Sequence, residues 1–501
     1  MSIVHALRMV GRSRPESPVL SWRETHWTYG DLLAAIDAVR RRLSARNLTP
    51  GARVALLLRN SPQYVALYYG VLAAGCVAVP LNAQDRAAVL ARQIEHCSAA
   101  LLIGDPAHVE WAALCAAVQG SSVETSDVIL HNGGDCLQKF LQDFAGPAAE
   151  ASGAMLDAND LGAIIYTSGT TGRPKGVMLS HRNLHSNASA IIDYLALKET
   201  DRGLCVLPFH FSYGSSVLHS HLLCGAQLVL EDNLAFPQVT LQRLQDEAIT
   251  GFAGVPSTFA LLLGRCRLQD FDLSRLRYIT QAGGAMPRPL IERLRDQAPG
   301  VQIYIMYGQT EATARLTYLP PGKLDEKAGS VGIPIRGVEI EVRDSDQSAP
   351  PGAVGEIHAR GPNVMLGYWN DAAATAEVLK DGWLRTGDLG HRDEDGYLYI
   401  DGRAVEMIKV GAFRVSPQEV EEVLAAIEGV EEVAVAAIPD EMLGQSIKAV
   451  IVPKPGVQLQ MLAVKAHCRQ HLAAYKVPKV VEFAAVLPRT SSGKVQRFKL
   501  A

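Results

Sequence analysis

Between residues 53 and 283 short apolar, β-branched runs keep returning, among them RVALLL, ALLIG, AIIYTS, LCVLPF, AQLVLED, GFAGVP and RYITQAG. Helical stretches such as QYVALYYGVLAAG and MPRPLIERLRDQAP alternate with them. A strand that is apolar on both faces must be covered on both, so this rhythm predicts βαβ units and largely parallel sheets. The uncharged stretch from Tyr64 to Leu81 nearly reaches membrane-spanning length. Gly70, Gly75 and Pro80 interrupt it, however, and it reads as a buried helix followed by a strand, with no membrane span.

Further along, VEIEVRD and GEIHARG predict a smaller β-rich section, and after YLYIDGR the pattern restarts. There Ser416, Pro417 and Glu419 predict an N-cap, a proline in the first helical turn and a capping-box glutamate, ahead of the alternating strand EEVAVAAI. At 501 residues the chain exceeds one ordinary core. The predicted fold is α/β: a large N-terminal domain over residues 1–402, of parallel and mixed sheets flanked by helices plus the β-rich subdomain, and a small α+β domain over 403–501. The stretch HNGGDCLQKFLQDFAGPAAEASGAMLDAND is expected to be irregular and on the surface.

Composition removes some function classes. Forty-eight basic against fifty-two acidic residues, with no dense Lys/Arg block, argue against a nucleic-acid surface. Eight scattered cysteines without a Cys-x-x-Cys pair indicate neither a zinc site nor a disulfide framework. They suit reduced thiols in a cytoplasmic protein, and the N-terminal stretch carries no continuous apolar core of the kind a secretory signal needs.

The stretch YTSGTTGRPKG, Tyr166 to Gly176, puts four Ser/Thr hydroxyls, three glycines and a lysine directly behind the apolar run Leu161 to Ile165. A strand end followed by a helix is expected after it. Glycines let backbone N–H groups turn inward, hydroxyls add movable donors and the lysine adds charge, a set suited to a polyphosphate. The composition alone also fits a flexible linker, but a linker has no need of Pro174 and Lys175 or of a strand running into it. A Walker A loop requires Ser or Thr after Gly-Lys; here Pro174 precedes Lys175 and Gly176 follows.

Read with its neighbours, this loop resembles the signature of the adenylate-forming superfamily, which includes acyl-CoA synthetases, adenylation domains and luciferases. YGQTE (307–311), WLRTGDLG (383–390), GRAVEMIKVGAFRVSPQEVE and PRTSSGKVQR (488–497) resemble further motifs of that family, in order. The resemblance implies that a carboxylic acid is activated with ATP as acyl-AMP, releasing pyrophosphate, and is then passed to a thiol. It implies that Thr167, Ser168, Gly169, Thr170, Thr171, Gly172 and Lys175 hold the β/γ-phosphates, while Thr310 meets the α-phosphate and Glu311 the magnesium. Tyr307 would lie against adenine beside Gly283 and Gly284, Asp388 would bind the ribose hydroxyls and Arg403 would sit near them. Lys494 would bridge carboxylate and α-phosphate in the first step. The C-terminal domain would be mobile about a hinge near Arg403 to Glu406, bringing Lys409 to the site for the second step. Taken singly, Asp388 after a glycine is a common turn residue and Lys494 a common solvated lysine. Val405 and Ala412 depart from the family pattern, at the hinge and near the thiol path.

The acid pocket of the family would correspond to Phe209, His210, Phe211, Ser212, Tyr213 and Gly214. Where amino-acid-activating relatives carry an aspartate for the substrate ammonium, this chain has Ser212, which cannot neutralise a buried charge. An acyl or aryl acid without a charged amine is therefore expected. His210 lies one position from the usual family histidine, and ordinary core packing would also account for the aromatics. Coenzyme A is the expected acceptor, with a carrier-protein phosphopantetheine arm as the alternative. A catalytically silent nucleotide sensor is the remaining alternative, opposed by the presence of Lys175, Glu311, Asp388 and Lys494 together.

Overall fold

The computed structural model describes residues 1–145, 156–167, 175–231, 234, 236–344, 347–403, 408–410, 413–440, 444–472, 474–489 and 495–500. Its described strands form three sheets, of fifteen, seven and five strands. In the seven-stranded sheet Val77–Pro80, Arg53–Leu57, Leu101–Gly104, Glu124–Asp127 and Leu161–Thr167 run parallel. Lys175–Ser180 and then Gly367–Tyr368 extend it antiparallel. The largest sheet has a parallel half, in which Pro18–Trp22, Gln227–Leu230, Arg202–Cys205, Gly251–Gly254, Tyr278–Gln281 and Gln302–Tyr307 lie side by side. It continues as an antiparallel half through Ser330–Pro334, Leu398–Arg403, Trp383–Arg392 and Gly355–Arg360. This is the α/β architecture with a β-rich section that the apolar runs imply.

The ambiguous stretch after Tyr64 divides as its glycines suggest. Pro62–Ala73 is a helix with Pro62 in its first turn and Ser61 as N-cap, the serine hydroxyl accepting from the Tyr64 N–H. All twelve of its residues are buried, as befits a helix enclosed between layers. Val77–Pro80 then enters the centre of the smaller parallel sheet.

Two local expectations need correction. Within the stretch expected to be irregular, Cys136–Asp143 is a helix that buries Cys136 and Phe140, and Phe140 packs against Trp27 and Phe144. Its Cys136/Phe140 spacing of four is a helical period masked by the surrounding glycines and polar residues. At Pro417–Ala425 the helix starts where Ser416 predicts, but Ser416 makes no capping hydrogen bond and Glu419 is drawn instead into an ion pair with Lys476. All eight cysteines are free thiols. No described helix is long and apolar enough to cross a membrane.

The core also holds neutral histidines. Burial pushes His181 and His210 down to about 4 and His219 down to about 3, and His219 Nδ1 lies 2.8 Å from the Tyr69 hydroxyl. Each takes up a proton in the unfolded chain near pH 6.5 but not in the native one until far lower pH. Their contribution to stability is thus complete above that value and is lost as pH falls toward 4. Each histidine should steepen the loss by about 1.4 kcal/mol per pH unit. We expect His219→Gln to reduce the slope of unfolding free energy against pH by about one proton between about pH 6 and 5, as read from urea unfolding. An unchanged slope would show that His219 is not held neutral.

Candidate active site

Strand Leu161–Thr167 and strand Lys175–Ser180 are antiparallel, with Thr167 opposite Lys175. The phosphate-type loop therefore connects two strands of a hairpin, not a strand and a helix as in a Walker A site; the helix His181–Leu195 follows the second strand. Ser168, Gly169, Thr170, Thr171 and Gly172 lie outside the described residues, as does Lys494. Lys175 reaches over the ring of Tyr368, its Nζ 4.7 Å from the ring centroid. Tyr368 is set there by the two-residue strand Gly367–Tyr368, which pairs with Val177 and Met178. The Tyr368 hydroxyl donates to Glu311 Oε1 at 2.9 Å. One tyrosine thus stands between the lysine and the carboxylate, which do not pair with each other.

Thr310 and Glu311 occupy a 3-10 turn, Thr310–Ala312, just past the end of strand Gln302–Tyr307. Gly308 makes the bend possible: a Cβ there would lie 1.9 Å from the Ala314 carbonyl oxygen. Asn363 then fixes the turn from outside, donating to the carbonyls of Ala312 and Arg315 and accepting at its own carbonyl from the Thr313 hydroxyl. The Thr310 hydroxyl is 3.1 Å from that of Ser212, the first residue of helix Ser212–Cys224. This contact joins the predicted acid pocket to the predicted α-phosphate residue across 98 positions of sequence.

The remaining pocket residues have unequal places. Gly214 lets the helix start close against the preceding chain, since a Cβ would lie 2.2 Å from the Pro208 oxygen. Tyr213 donates to Thr280 and carries the Arg315 guanidinium 4.8 Å from its ring centroid. Phe209 is 1% exposed and packs against Tyr64, placing it in the main core. His210 lies against the Phe211 ring, and its buried Nε2 has no hydrogen-bond partner among the described residues.

On the other side of the turn, the Tyr307 hydroxyl donates to Asp388 Oδ2 at 2.6 Å, and Asp388 is 5% exposed. Thr386 Oγ1 accepts from the Asp388 N–H, while Arg403 is the register partner of Asp388 on the neighbouring strand. Gly283 and Gly284 follow strand Tyr278–Gln281, with Gly283 at φ +87° and the Gln281 amide donating to the Gly284 carbonyl. Lys409 belongs to the strand Ile408–Val410 of the small domain. Sequence reading missed Tyr368 and Arg315. A two-residue strand has no periodicity to detect, and Arg315 stands in a mixed stretch of Ala, Thr and Leu that has no pattern to mark it.

Comparison with known proteins agrees with this geometry. Residues 7–369 match the family described as AMP-binding enzyme, and residues 419–494 match the AMP-binding enzyme C-terminal domain. The chain is 35% identical to a feruloyl-CoA synthase of an Amycolatopsis species over 97% of its own length and 95% of the relative. It is 34% identical to an indoleacetate–CoA ligase of Aromatoleum aromaticum, covering 96% and 94%. Among solved structures, o-succinylbenzoate CoA synthetase from Bacillus subtilis in complex with its acyl-adenylate intermediate superimposes with a TM-score of 0.88 at 28% identity, over 99% of this chain and 97% of that one. With both family domains present and relatives of this similarity spanning nearly its full length, the protein belongs to the AMP-binding enzyme family.

Proposed function

We propose that the protein is an AMP-forming acid–thiol ligase that joins a carboxylic acid to coenzyme A. The observation that carries the reading is the continuous set Ser212, Thr310, Glu311, Tyr368 and Lys175, in which an acid-pocket helix, a threonine–glutamate turn and the base of a hydroxyl-rich loop meet. Coenzyme A is favoured as acceptor because the relatives are named as CoA synthases and ligases. Nothing observed favours a carrier protein.

In the first step a carboxylate oxygen of the acid attacks the α-phosphorus of ATP, the bond to the β-phosphate bridging oxygen breaks, and pyrophosphate departs. Both reactants are anions, so charge crowding dominates the barrier, and fixed cations and donors lower it. Lys175 enters no ion pair among the described residues, which leaves its charge for the β/γ-phosphates, and Thr167 lies opposite it; Ser168, Gly169, Thr170, Thr171 and Gly172 would add donors to the same phosphates. Thr310 would donate toward the α-phosphate. Magnesium, when bound, would neutralise phosphate charge; a single protein carboxylate suffices for an ion that keeps phosphate and water oxygens, and Glu311 suits that part. Asp388 would take the ribose hydroxyls while Tyr307 holds its other oxygen and offers a ring face to adenine, with Gly283, Gly284 and Arg403 nearby. In the second step the thiolate attacks the acyl carbon and AMP leaves. Ser212, uncharged, disfavours α-amino acids.

Two measurements test this division. Lys494→Ala should lower acid-dependent pyrophosphate exchange by at least about 100-fold while sparing conversion of a supplied acyl adenylate, and Lys409→Ala should do the reverse. Equal losses in both half-reactions would sink the assignment. Tyr368→Phe removes the donor that orients Glu311 and should raise the magnesium concentration for half-maximal rate by roughly 10-fold. An unchanged magnesium titration would remove Glu311 from that role.

A further inference from the structure

Two cations are buried among the described residues, and they are compensated differently. Lys327, 8% exposed, pairs with both Asp393 and Asp395. Arg315, 2% exposed, pairs with no carboxylate. Its Nε donates to the Tyr194 hydroxyl at 3.1 Å and its guanidinium lies over Tyr213, but among the described residues its two terminal nitrogens have no acceptor. Neither phenol supplies the missing charge, because burial pushes both Tyr194 and Tyr213 up and keeps them protonated. Burial likewise pushes His221 down, so it adds no charge of either sign.

The arginine is held in this position. Its backbone carbonyl accepts from the side-chain amides of Asn187 and Asn363, which fixes the backbone from which the side chain enters. It lines a narrow cavity whose polar side includes Ser216, Ser220 and Thr280 and whose apolar side includes Val217 and Ile191. Ser216 and Ser220 belong to helix Ser212–Cys224, whose first residue touches Thr310. Along that helix they stand four and eight residues beyond Ser212, or about 6 to 12 Å at 1.5 Å per residue.

A guanidinium removed from water without a counter-ion is costly, and its planar fork matches a carboxylate in two parallel hydrogen bonds. We propose that the acid activated here carries a second carboxylate, distal to the reacting one, and that Arg315 binds it as the specificity-determining residue. The inference rests on the acid–thiol ligase reading and names the substrate class of that same site.

The test uses the full-length enzyme, with ATP, magnesium and coenzyme A, on length-matched pairs of acids. Each pair is an α,ω-dicarboxylic acid and the monocarboxylic acid with a methyl group in place of the distal carboxyl, in aliphatic and aromatic series. For a pair of the right length, wild-type kcat/KM for thioester formation should favour the diacid by at least about 100-fold. Arg315→Met should remove that preference by a loss of about the same size on the diacid, with the monoacid unchanged or improved, and Arg315→Lys should restore part of it. Thermal-shift binding of AMP reports whether each variant is folded; should Arg315→Met fail to fold, the wild-type pairs decide alone. Monoacids used as well as diacids by wild type, or a diacid preference that survives in folded Arg315→Met, would overturn the proposal while leaving the ligase reading intact. Pyrophosphate release with no acid of either class would overturn both.

Discussion

Asn363 holds the site together. It is 1% exposed, and its amide donates to two carbonyls of the turn after strand Gln302–Tyr307 while its own carbonyl accepts from Thr313. On either side, Asn183 donates to the carbonyls of Pro362 and Val364, the Met365 N–H donates to the Glu311 carbonyl and the Leu366 N–H to the Met178 carbonyl. One stretch, Pro362 to Leu366, therefore fastens the largest sheet to the hairpin edge of the smaller one. Backbone groups buried at such a crossing must be paired, and side-chain amides do here what a continuous ladder does inside a sheet. The positions of Glu311, Tyr368 and Arg315 all follow from this junction.

The junction leaves positive charge uncompensated in two directions. Among the described residues Lys175 meets only the face of Tyr368, and Arg315 meets a tyrosine hydroxyl and a tyrosine face. Elsewhere the same fold pairs its interior and half-buried cations, as Arg277 does with Asp201 and Arg243 with Glu231. Cation–π contacts offset part of the desolvation cost but do not neutralise the charge. An acid bound between these groups would meet attraction at both ends, with the nucleotide phosphates at one and the distal part of the acid at the other. Orientation would then come from the protein before any bond is made.

Much of this was legible in the sequence, for identifiable reasons. The parallel strands declared themselves because each is apolar on both faces, and Thr310, Glu311, Asp388 and Lys175 stood out because their motifs occur in a fixed order. Phe209 shows where the reading ends: an aromatic beside a pocket and an aromatic in the core obey the same alternation, and only its packing on Tyr64 separates them. Glu419 shows another limit. Its spacing from Ser416 satisfies the capping-box pattern, yet Lys476, distant in sequence, captures it. Tyr368 and Arg315 depend wholly on tertiary contacts, so no local pattern announced them.

The proposed exchange of Lys494 for Lys409 places a demand on the small domain, which must turn without exposing its own interior. Its two hydrophobic clusters answer that demand, since every buried member lies at or after Ile408, from Ile408, Val410 and Val415 to Leu487 and Leu500. Among the described residues its sheet shares no strand with the other two: Leu398–Arg403 pairs within the largest sheet, and Ile408–Val410 belongs to the small one. The four residues between these strands span at most about 14 Å when extended, enough to turn about but too short to let the domain drift away. On either side of 490–494, Arg489 pairs with Glu432 and Arg497 with Glu421, while Arg489 and Val495 form an isolated β-bridge. If Lys494 and Lys409 act as proposed, a self-contained core on a short tether allows their exchange only by movement of that core as a unit, so the order of the two half-reactions would be set by which face it presents.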